Sequence, residues 1–266
     1  MYKRLELHNH TNESDAVFTC KELTDFMVAD HVDAFSLTDH NTISGHYKIE
    51  NYLKEHPQPI AFIPGMEYTT YYGHILCLNL TEYVPWENIN KHKPELLFQA
   101  AREKRALVGV AHPYSFGWPF AQGCRFEMTI TDYSCCDFIE IFNNPEPLHE
   151  VNEKGVKLWE DLVLSGENIA ATCGMDLHGN SSLHGHYSTY IEGEPEGDVS
   201  PMRFITSAPG YAKALCWKSI TTEKPSLSPS IRPENRVMSR FPRRITRSPS
   251  APEISSSPVA YPTGSR

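Results

Sequence analysis

Up to about residue 195, the hydrophobic positions of the chain follow two alternating patterns. Short apolar runs rich in β-branched residues predict strands at 3–7, 33–38, 60–64, 74–80, 106–111, 137–142, 169–174 and 188–192. Stretches with an apolar residue every three to four positions predict helices at 21–31, 44–56, 94–105 and 151–166. Ser44 is the predicted N-cap of the second helix, and Pro94 lies near the start of the third. This alternation indicates a parallel sheet covered by helices, and so many strands in about 195 residues favour a compact α/β barrel.

The pattern changes towards the C-terminus. Residues 221–266 are rich in Pro, Ser and Arg and show no apolar period, which predicts a disordered tail. Residues 196–220 fit a strand and a helix only in part. We therefore expect a barrel at 1–195, an uncertain closing segment at 196–220 and a tail at 221–266.

Charge and cysteine content narrow the class of protein. The chain has 266 residues and a net charge of −9, but the tail carries eight Lys or Arg against three Glu, so the rest is more acidic still. An acidic body argues against binding of duplex nucleic acid through a basic face, although a nucleotide or short oligonucleotide held by metal ions stays compatible. Seven cysteines without a C-x-x-C pair predict a reduced, cytoplasmic chain. No signal peptide, membrane span or other membrane association is expected.

Metal-ligating residue types stand at the ends of nearly every predicted strand. In chain order they are His8, His10, Asp15, Asp39, His40, Glu67, His74, His112, Asp176 and His178. In a barrel these ends meet at one mouth. A lone His-x-His pair is often a surface turn, but on a strand both side chains point to the same side and can bind one ion together. Six histidines with carboxylates at successive strand ends favour a shared metal centre over separate turns.

The ordered motifs carry a family resemblance. The chain reads H-x-H, then an Asp, then T-D-H, P-G-M-E, G-H, A-H-P and G-x-D-x-H. This order resembles the polymerase and histidinol phosphatase (PHP) superfamily over about residues 3–192. The segments GMEYTTYYGHILCLNL and HPYSFGWPFAQGCRFE are further similar to the CehA/McbA-like branch of that superfamily. The resemblance implies a distorted (β/α)7 TIM-like barrel with two or three divalent ions.

The resemblance also implies a ligand set. One ion would take His8, His10, Glu67 and Asp176; a second would take Glu67, His74 and His112; a third would take Asp15, His40 and His178. Imidazole and carboxylate ligands suit Mn, Fe or Zn without separating them. Catalytic roles would fall to Glu67, Asp176 and His178, and Arg125 in "GCRFE" is a candidate for contacting a substrate phosphate, against the alternative of an exposed loop arginine.

The other candidate residues are interpreted as follows. Asp39 either orients a metal ligand or caps the following helix. His184 and His186 are interpreted as loop histidines near the mouth rather than as ligands of a further metal. His31, His46, His56, His92 and His149 are expected to be solvated. Trp118 and Phe120 either stack on a base or cover the barrel end.

Three functions remain open at this point. The first is a metal-dependent phosphoesterase that activates water to cleave a phosphate ester of a small metabolite, nucleotide or short oligonucleotide. The second is a carbamate or ester hydrolase of the CehA/McbA type. The third is a metal-binding accessory module that acts through the basic tail, whose protein partner the sequence does not identify.

Overall fold

The computed structural model describes residues 2–87, 89–117, 119, 121–143, 150–179, 186–192 and 215–218. Its strands are β1 (Tyr2–Glu6), β2 (Ala34–Leu37), β3 (Ala61–Thr70), β4 (Gly73–Leu78), β5 (Leu107–Val110), β6 (Phe138–Asn143), β7 (Ala170–Gly174), β8 (Tyr187–Glu192) and β9 (Leu215–Lys218). Its helices are α1 (Cys20–Ala29), α2 (His46–Glu55), α3 (Glu95–Glu103) and α4 (Glu150–Leu164), with a short 3-10 turn at Tyr133–Cys135. Each helix and strand predicted from the sequence is present, with shifted ends.

The strands form one sheet in the order β7-β6-β5-β4-β3-β2-β1-β8-β9. Four pairs are parallel, namely β1 with β2, β2 with β3, β5 with β6 and β6 with β7. The pairs β3–β4, β4–β5, β1–β8 and β8–β9 are antiparallel, so the expected wholly parallel sheet is wrong. For the pair β3–β4 the reason is local, because Thr70 pairs with Gly73 and such a tight turn permits a hairpin but not a parallel crossover.

The sheet curls into a nearly closed barrel. The Thr189 hydroxyl in β8 accepts a hydrogen bond from the Cys173 amide in β7 at 2.9 Å and donates one to the Cys173 carbonyl at 3.1 Å. Beyond the strand ends, the His10 amide donates to the Leu177 carbonyl at 3.0 Å. The chain that follows β1 therefore lies beside the chain that follows β7, at the end of the barrel where the candidate ligands stand.

Three apolar clusters stabilise this arrangement. One is drawn from strand residues and their immediate continuations, including Leu5, Leu7, Ile63, Leu76 and Phe138, and fills the barrel. The other two lie between the sheet and its helices, one beneath α1 and α2 and one beneath α3 and α4. Burial on both faces explains why these strands read as continuous apolar runs rather than as alternating ones.

The helix ends differ from prediction in one informative place. Thr19 and Glu22 form a capping box at the start of α1. Ser44, however, does not cap α2, which has Gly45 at its N-cap without a side-chain bond. The Ser44 hydroxyl instead donates to the Glu13 carboxylate at 2.8 Å. Ser44 thus ties α2 to the loop that follows β1.

Cysteine chemistry also departs from expectation. Cys20, Cys77, Cys124, Cys135 and Cys136 are free thiols, as predicted. Cys173 is disulfide-bonded, so the expectation of a wholly reduced chain is wrong at this position. The spacing of cysteines along the sequence detects metal and redox motifs, but it does not show which thiols lie close enough in the fold to form a bond.

Several expectations fall outside the described residues, including the predicted tail at 221–266, Trp118, Phe120, His149 and His184. In the segment 196–220, only β9 is described, as an edge strand beside β8. Among the helices that are described, none has the length and apolar character needed to cross a membrane.

Candidate metal centre

The structure brings together all nine residues predicted as metal ligands. They form three overlapping groups, in each of which one potential ligand atom per residue lies within 4.8 Å of the others. The groups are His8, His10, Glu67 and Asp176; Glu67, His74 and His112; and His10, Asp15, His40 and His178. Compared with the predicted sets, the third group also contains His10.

Strand direction explains the convergence. Most of these residues follow the carboxyl ends of parallel strands, which meet at one end of the barrel. Glu67 lies within β3, because that strand continues past the mouth. His74 lies at the amino end of β4, and the antiparallel direction of β4 brings that end to the same mouth.

Glu67 lies at the centre of the site and is fully buried. Its Oε1 lies 2.9 Å from His74 Nδ1 and 3.1 Å from His112 Nε2. Its Oε2 lies 2.9 Å from His40 Nδ1 and 3.2 Å from His8 Nε2. The two oxygens therefore face histidines of different groups, so this carboxylate is placed to bridge two ions.

Asp176 contributes to the buried group from the other side of the barrel. Its Oδ1 lies 2.9 Å from His10 Nε2 and 3.4 Å from His8 Nε2. Asp176 and His112 both adopt positive φ angles, 51° and 27°. Such angles in residues other than glycine cost on the order of 1–3 kcal/mol and are concentrated at functional sites.

The third group lies nearer to solvent. Asp15 Oδ1 is 3.2 Å from His178 Nε2 and 3.5 Å from His40 Nε2. The His10 ring stacks on those of His40 and His178, at centroid distances of 4.3 and 4.2 Å, and the His40 and His178 rings are 5.7 Å apart. The Asp15 side chain is 58% exposed, whereas His8 and Glu67 have no exposed side-chain surface. The site thus has a buried part and a solvent-facing part.

The buried carboxylates and imidazoles of the site stabilise one another's charged forms. Burial alone would raise the pKa of Glu67, but the charge on His8 and hydrogen bonds from three other imidazoles keep that pKa well below its usual value. Burial likewise acts to lower the pKa of His112, but its hydrogen bond with Glu67 and the nearby carboxylates raise that pKa to about 9. Without a metal ion, the carboxylates therefore stabilise protons on the imidazoles, and a divalent cation would compete for the same groups.

The residues present fit divalent ions. His8 Nε2 is a buried side-chain atom that makes no hydrogen bond in the described part of the chain, and it faces Glu67 Oε2 at 3.2 Å. Buried polar atoms are normally paired, and unpaired ones suggest a missing ion or water. Both atoms belong to a set of nitrogen and oxygen donors, which suits first-row divalent metals.

Asp39 secures the loop that carries the third group. Its carboxylate accepts hydrogen bonds at 2.7 Å from the Thr11 amide, the Thr11 hydroxyl and the Ser14 hydroxyl. It does not cap α2, which begins at His46. Of its two predicted roles, the structure favours the one at the site: Asp39 holds the loop between His10 and Asp15 in place.

We expect Asp39→Ala to weaken binding of the ion nearest to solvent. Removing the carboxylate leaves three donors without an acceptor, at about 1–3 kcal/mol for each buried group, and frees the Asp15 loop. Calorimetric titration of the chelator-treated chain with Mn²⁺ should show one weakened binding step and two unchanged ones. Asp39→Asn keeps one acceptor oxygen and should give an intermediate effect. Unchanged isotherms for Asp39→Ala would contradict this role.

Glu140 is a supporting residue that sequence reasoning missed. It lies in β6 and is 1% exposed. Its Oε1 lies 2.9 Å from His8 Nδ1, and its Oε2 accepts from the His112 amide at 2.9 Å and from Asn143 Nδ2 at 3.0 Å. The available sequence signal is the one charged residue within the apolar run FIEIF.

The remaining candidates are placed as follows. Arg125 is exposed, and its Nε donates to the Ser115 carbonyl at 3.1 Å. The neighbouring Cys124 carbonyl lies 3.1 Å from His112 Nδ1, so the segment with Arg125 borders the site.

His46 is buried, not solvated as expected, because its Nε2 hydrogen-bonds the β3 backbone at the Gly65 carbonyl, 2.7 Å away. His31, His56 and His92 are exposed as predicted.

Comparisons with known proteins agree with this architecture. The chain is similar to a 5'-3' exoribonuclease from Haemophilus influenzae, with 35% identity over 149 residues, which span 50% of this chain and 50% of that protein. It is also similar to a crystal structure of a two-domain protein from Bacteroides vulgatus described as containing a predicted PHP-like metal-dependent phosphoesterase. The TM-score is 0.61 with 17% identity, over 82% of this chain and 65% of that one. A crystal structure described as a putative metal-dependent phosphoesterase from Bifidobacterium adolescentis gives a TM-score of 0.46 with 12% identity, over 74% of this chain and 91% of that one. No protein-family model matches the chain.

The likeness to the Bacteroides structure concerns the fold, and it confirms the predicted α/β barrel. The chain spans about half the length of the curated relative and about two thirds of the Bacteroides structure, and the matches do not single out the CehA/McbA-like branch.

Proposed function

We propose that this chain is a metal-dependent phosphoesterase of the PHP superfamily. The position of Glu67 carries the proposal, because its two oxygens face histidines from different ligand groups and can bridge two ions. Two ions about 3.5–4 Å apart are the arrangement used to clamp the attacking and leaving oxygens in phosphoryl displacement. Phosphate esters need this help because their non-bridging oxygens carry negative charge.

In this proposal His8, His10, Glu67 and Asp176 hold the first ion, Glu67, His74 and His112 the second, and Asp15, His40 and His178 the third, with His10 beside the third ion. When bound, the ions would supply Lewis acidity and a lowered pKa of water. The chain itself supplies the buried negative charges that hold the cations. It also supplies rigid supports, since Glu140 and Asp39 fix the ligands. Mn, Fe and Zn all suit this donor set.

The comparisons support phosphate-ester chemistry in two ways. The curated relative is named for cleavage of RNA phosphodiesters, and the Bacteroides structure is described as phosphoesterase-like. Both names concern esters of phosphoric acid, in line with a small phosphorylated metabolite, nucleotide or short oligonucleotide as the substrate. The CehA/McbA-like similarity of the segments 65–80 and 112–127 would instead favour a carbamate or carboxylic ester.

A substrate panel tests the proposal. The chain, loaded in turn with Mn²⁺, Fe²⁺ and Zn²⁺, is assayed with p-nitrophenyl phosphate, bis-p-nitrophenyl phosphate, an aryl carbamate and an aryl acetate. Phosphate esters should be cleaved, and a chelator should abolish the activity. Cleavage of the carbamate or acetate without cleavage of either phosphate would overturn the proposal in favour of the second function.

Arg125 should contribute to phosphate binding. A guanidinium matches phosphate oxygens, and one charge-assisted hydrogen bond contributes about 1.5–3 kcal/mol. We expect Arg125→Ala to lower kcat/KM for phosphate esters by roughly 10- to 100-fold. Arg102→Ala is the matched control, because Arg102 is also exposed but donates to the Ser134 carbonyl at 2.7 Å on the helix α3 side. Equal kcat/KM values for the two variants would show that Arg125 does not contribute to phosphate binding.

Deletion of residues 221–266 separates an enzyme from an accessory module. The proposed active site is built entirely from residues before 180, so turnover of small substrates should be unchanged within about twofold. Loss of turnover in the shortened chain, with its melting temperature kept, would favour a function that depends on the tail.

A further inference from the structure

Glu140 contacts two of the three ligand groups at once. Through Oε1 it meets His8 of the first group, and through Oε2 it meets the backbone amide of His112 of the second group. Glu140 is not itself a member of either group, and it is 1% exposed. A buried carboxylate in this position must have partners, since an unpaired one is costly.

The contact with His8 fixes which ring nitrogen is available to an ion. An ionised carboxylate can only accept, so Nδ1 of His8 carries the proton that binds Glu140. In the neutral ring that would bind a metal, Nε2 then carries the lone pair, and this atom lies 3.2 Å from Glu67 Oε2 and 3.4 Å from Asp176 Oδ1. A carboxylate behind a metal-binding imidazole both orients the ring and makes it a stronger ligand.

The contact between Glu140 and His112 holds the backbone of His112 rather than its ring. His112 has a φ of 27°, which residues other than glycine rarely adopt. The hydrogen bond from its amide to Glu140 holds that strained backbone at the end of β5. The ring of His112 then faces Glu67 through Nε2 and the Cys124 carbonyl through Nδ1.

Glu140 is itself held in place by α4. Asn143 donates to Glu140 Oε2 at 3.0 Å, and Asn143 exchanges two backbone-to-side-chain hydrogen bonds of 3.2 Å with Asn152 of α4. Asn143 and Asn152 are both buried. A chain of hydrogen bonds therefore runs from α4 to the ligands of two ion sites.

We propose that Glu140 is a positioning residue shared by the two buried ion sites, so that its loss weakens both ions together. The inference rests on the proposed metal centre but not on the substrate. Ligands such as His74 belong to one group, whereas Glu140 supports two groups without contacting an ion.

Glu140→Gln tests this directly. A carboxamide has one acceptor oxygen, whereas Glu140 accepts from three donors on two oxygens. If the amide oxygen faces His8, its NH₂ meets the His112 amide, and if it faces His112, His8 loses its acceptor. In either case one ligand loses its support. Loss of such a support typically lowers metal affinity by about 10- to 100-fold.

The experiment is calorimetric titration of Mn²⁺ into the chelator-treated full chain, with elemental analysis of ions retained after gel filtration. Glu140→Gln should weaken the binding steps of both buried ions by about 10- to 100-fold. His74→Ala should remove one step and leave the other nearly intact. Glu6→Gln is the control, because Glu6 is an equally buried carboxylate that bonds Ser188 and Arg4 and contacts none of the ligands.

The outcomes are distinct from those for the phosphoesterase proposal. A wild-type isotherm for Glu140→Gln, a loss confined to one ion, or an equal loss in Glu6→Gln would each overturn the shared role. A wild-type chain that binds ions but cleaves no phosphate ester would sink the proposed function and leave this inference standing. If Glu140→Gln fails to fold with ions removed, Asn143→Ala takes its place. It removes one donor to Glu140 and should weaken both ions by a smaller, equal factor, and unequal factors would overturn the inference.

Discussion

Glu67→Gln should lower turnover of a phosphate ester by about three orders of magnitude or more while the fold survives. The substitution removes a buried negative charge that four imidazoles face within 3.2 Å. It therefore removes the carboxylate that would bridge two ions, and an ion in such a site would contribute several kcal/mol to stabilising the transition state. At about 1.4 kcal/mol per tenfold, a loss of about 4 kcal/mol corresponds to a thousandfold.

The measurement is kcat on an aryl phosphate together with bound metal per chain and the melting temperature in chelator. Asp176→Asn is the parallel variant, because its carboxylate faces His8 and His10 in the first group. Glu82→Gln is the control, since Glu82 is an exposed residue paired with Lys104. Activity retained in both Glu67→Gln and Asp176→Asn would contradict the account. If a variant loses activity and also unfolds in chelator, bound metal per chain in the folded fraction decides whether the ion site itself is lost.

Gly174→Ala should displace the side chains of Glu140 and His8 and so disrupt the metal site. Gly174 ends β7, and a Cβ there would overlap Glu140 Oε1 and lie 2.5 Å from the Cβ of His8. One of the two side chains must shift, although both are fully buried. Overpacking of this kind costs about 1–3 kcal/mol, and the shift also moves a metal ligand or its support. We expect a melting temperature lower by several degrees and loss of ion binding by more than tenfold.

A nearby glycine provides the comparison for that experiment. Gly179 lies five residues further along the chain, and among the described residues a Cβ added there meets only Val17, at an ordinary 3.4 Å. Gly179→Ala should therefore leave stability and metal affinity within experimental error. Equal behaviour of Gly174→Ala and Gly179→Ala would mean that the space around Glu140 and His8 is not restrictive.

The sequence predicts the fold and the position of the ligands for one physical reason. Parallel strands buried on both faces appear as continuous apolar runs, and chemistry collects at their carboxyl ends. The His-x-His after β1 and the Asp-x-His after β7 can therefore be placed at one mouth without coordinates. The antiparallel direction of β4 is harder to predict, because it depends on the tight turn between Thr70 and Gly73.

Supporting residues are harder to predict than ligands. Glu140 lies on a strand whose end carries no imidazole or carboxylate, so nothing along the chain connects it to His8, 132 residues away. Asp39 stands next to the ligand His40, but its partners Thr11 and Ser14 come from another loop. His46 has the polar sequence context of an exposed helix start, and only the packing of α2 against β3 buries it. Each of these roles depends on contacts between distant segments.

The most direct test of the account is the metal content of the purified chain, measured by elemental analysis before and after treatment with a chelator and reloading. The account predicts two or three equivalents of Mn, Fe or Zn per chain, and fewer than half as many in Glu67→Gln. Phosphate-ester hydrolysis should disappear and return with the ions. A folded chain that takes up less than one equivalent of any of these metals would contradict the central claim that these nine residues form a metal centre.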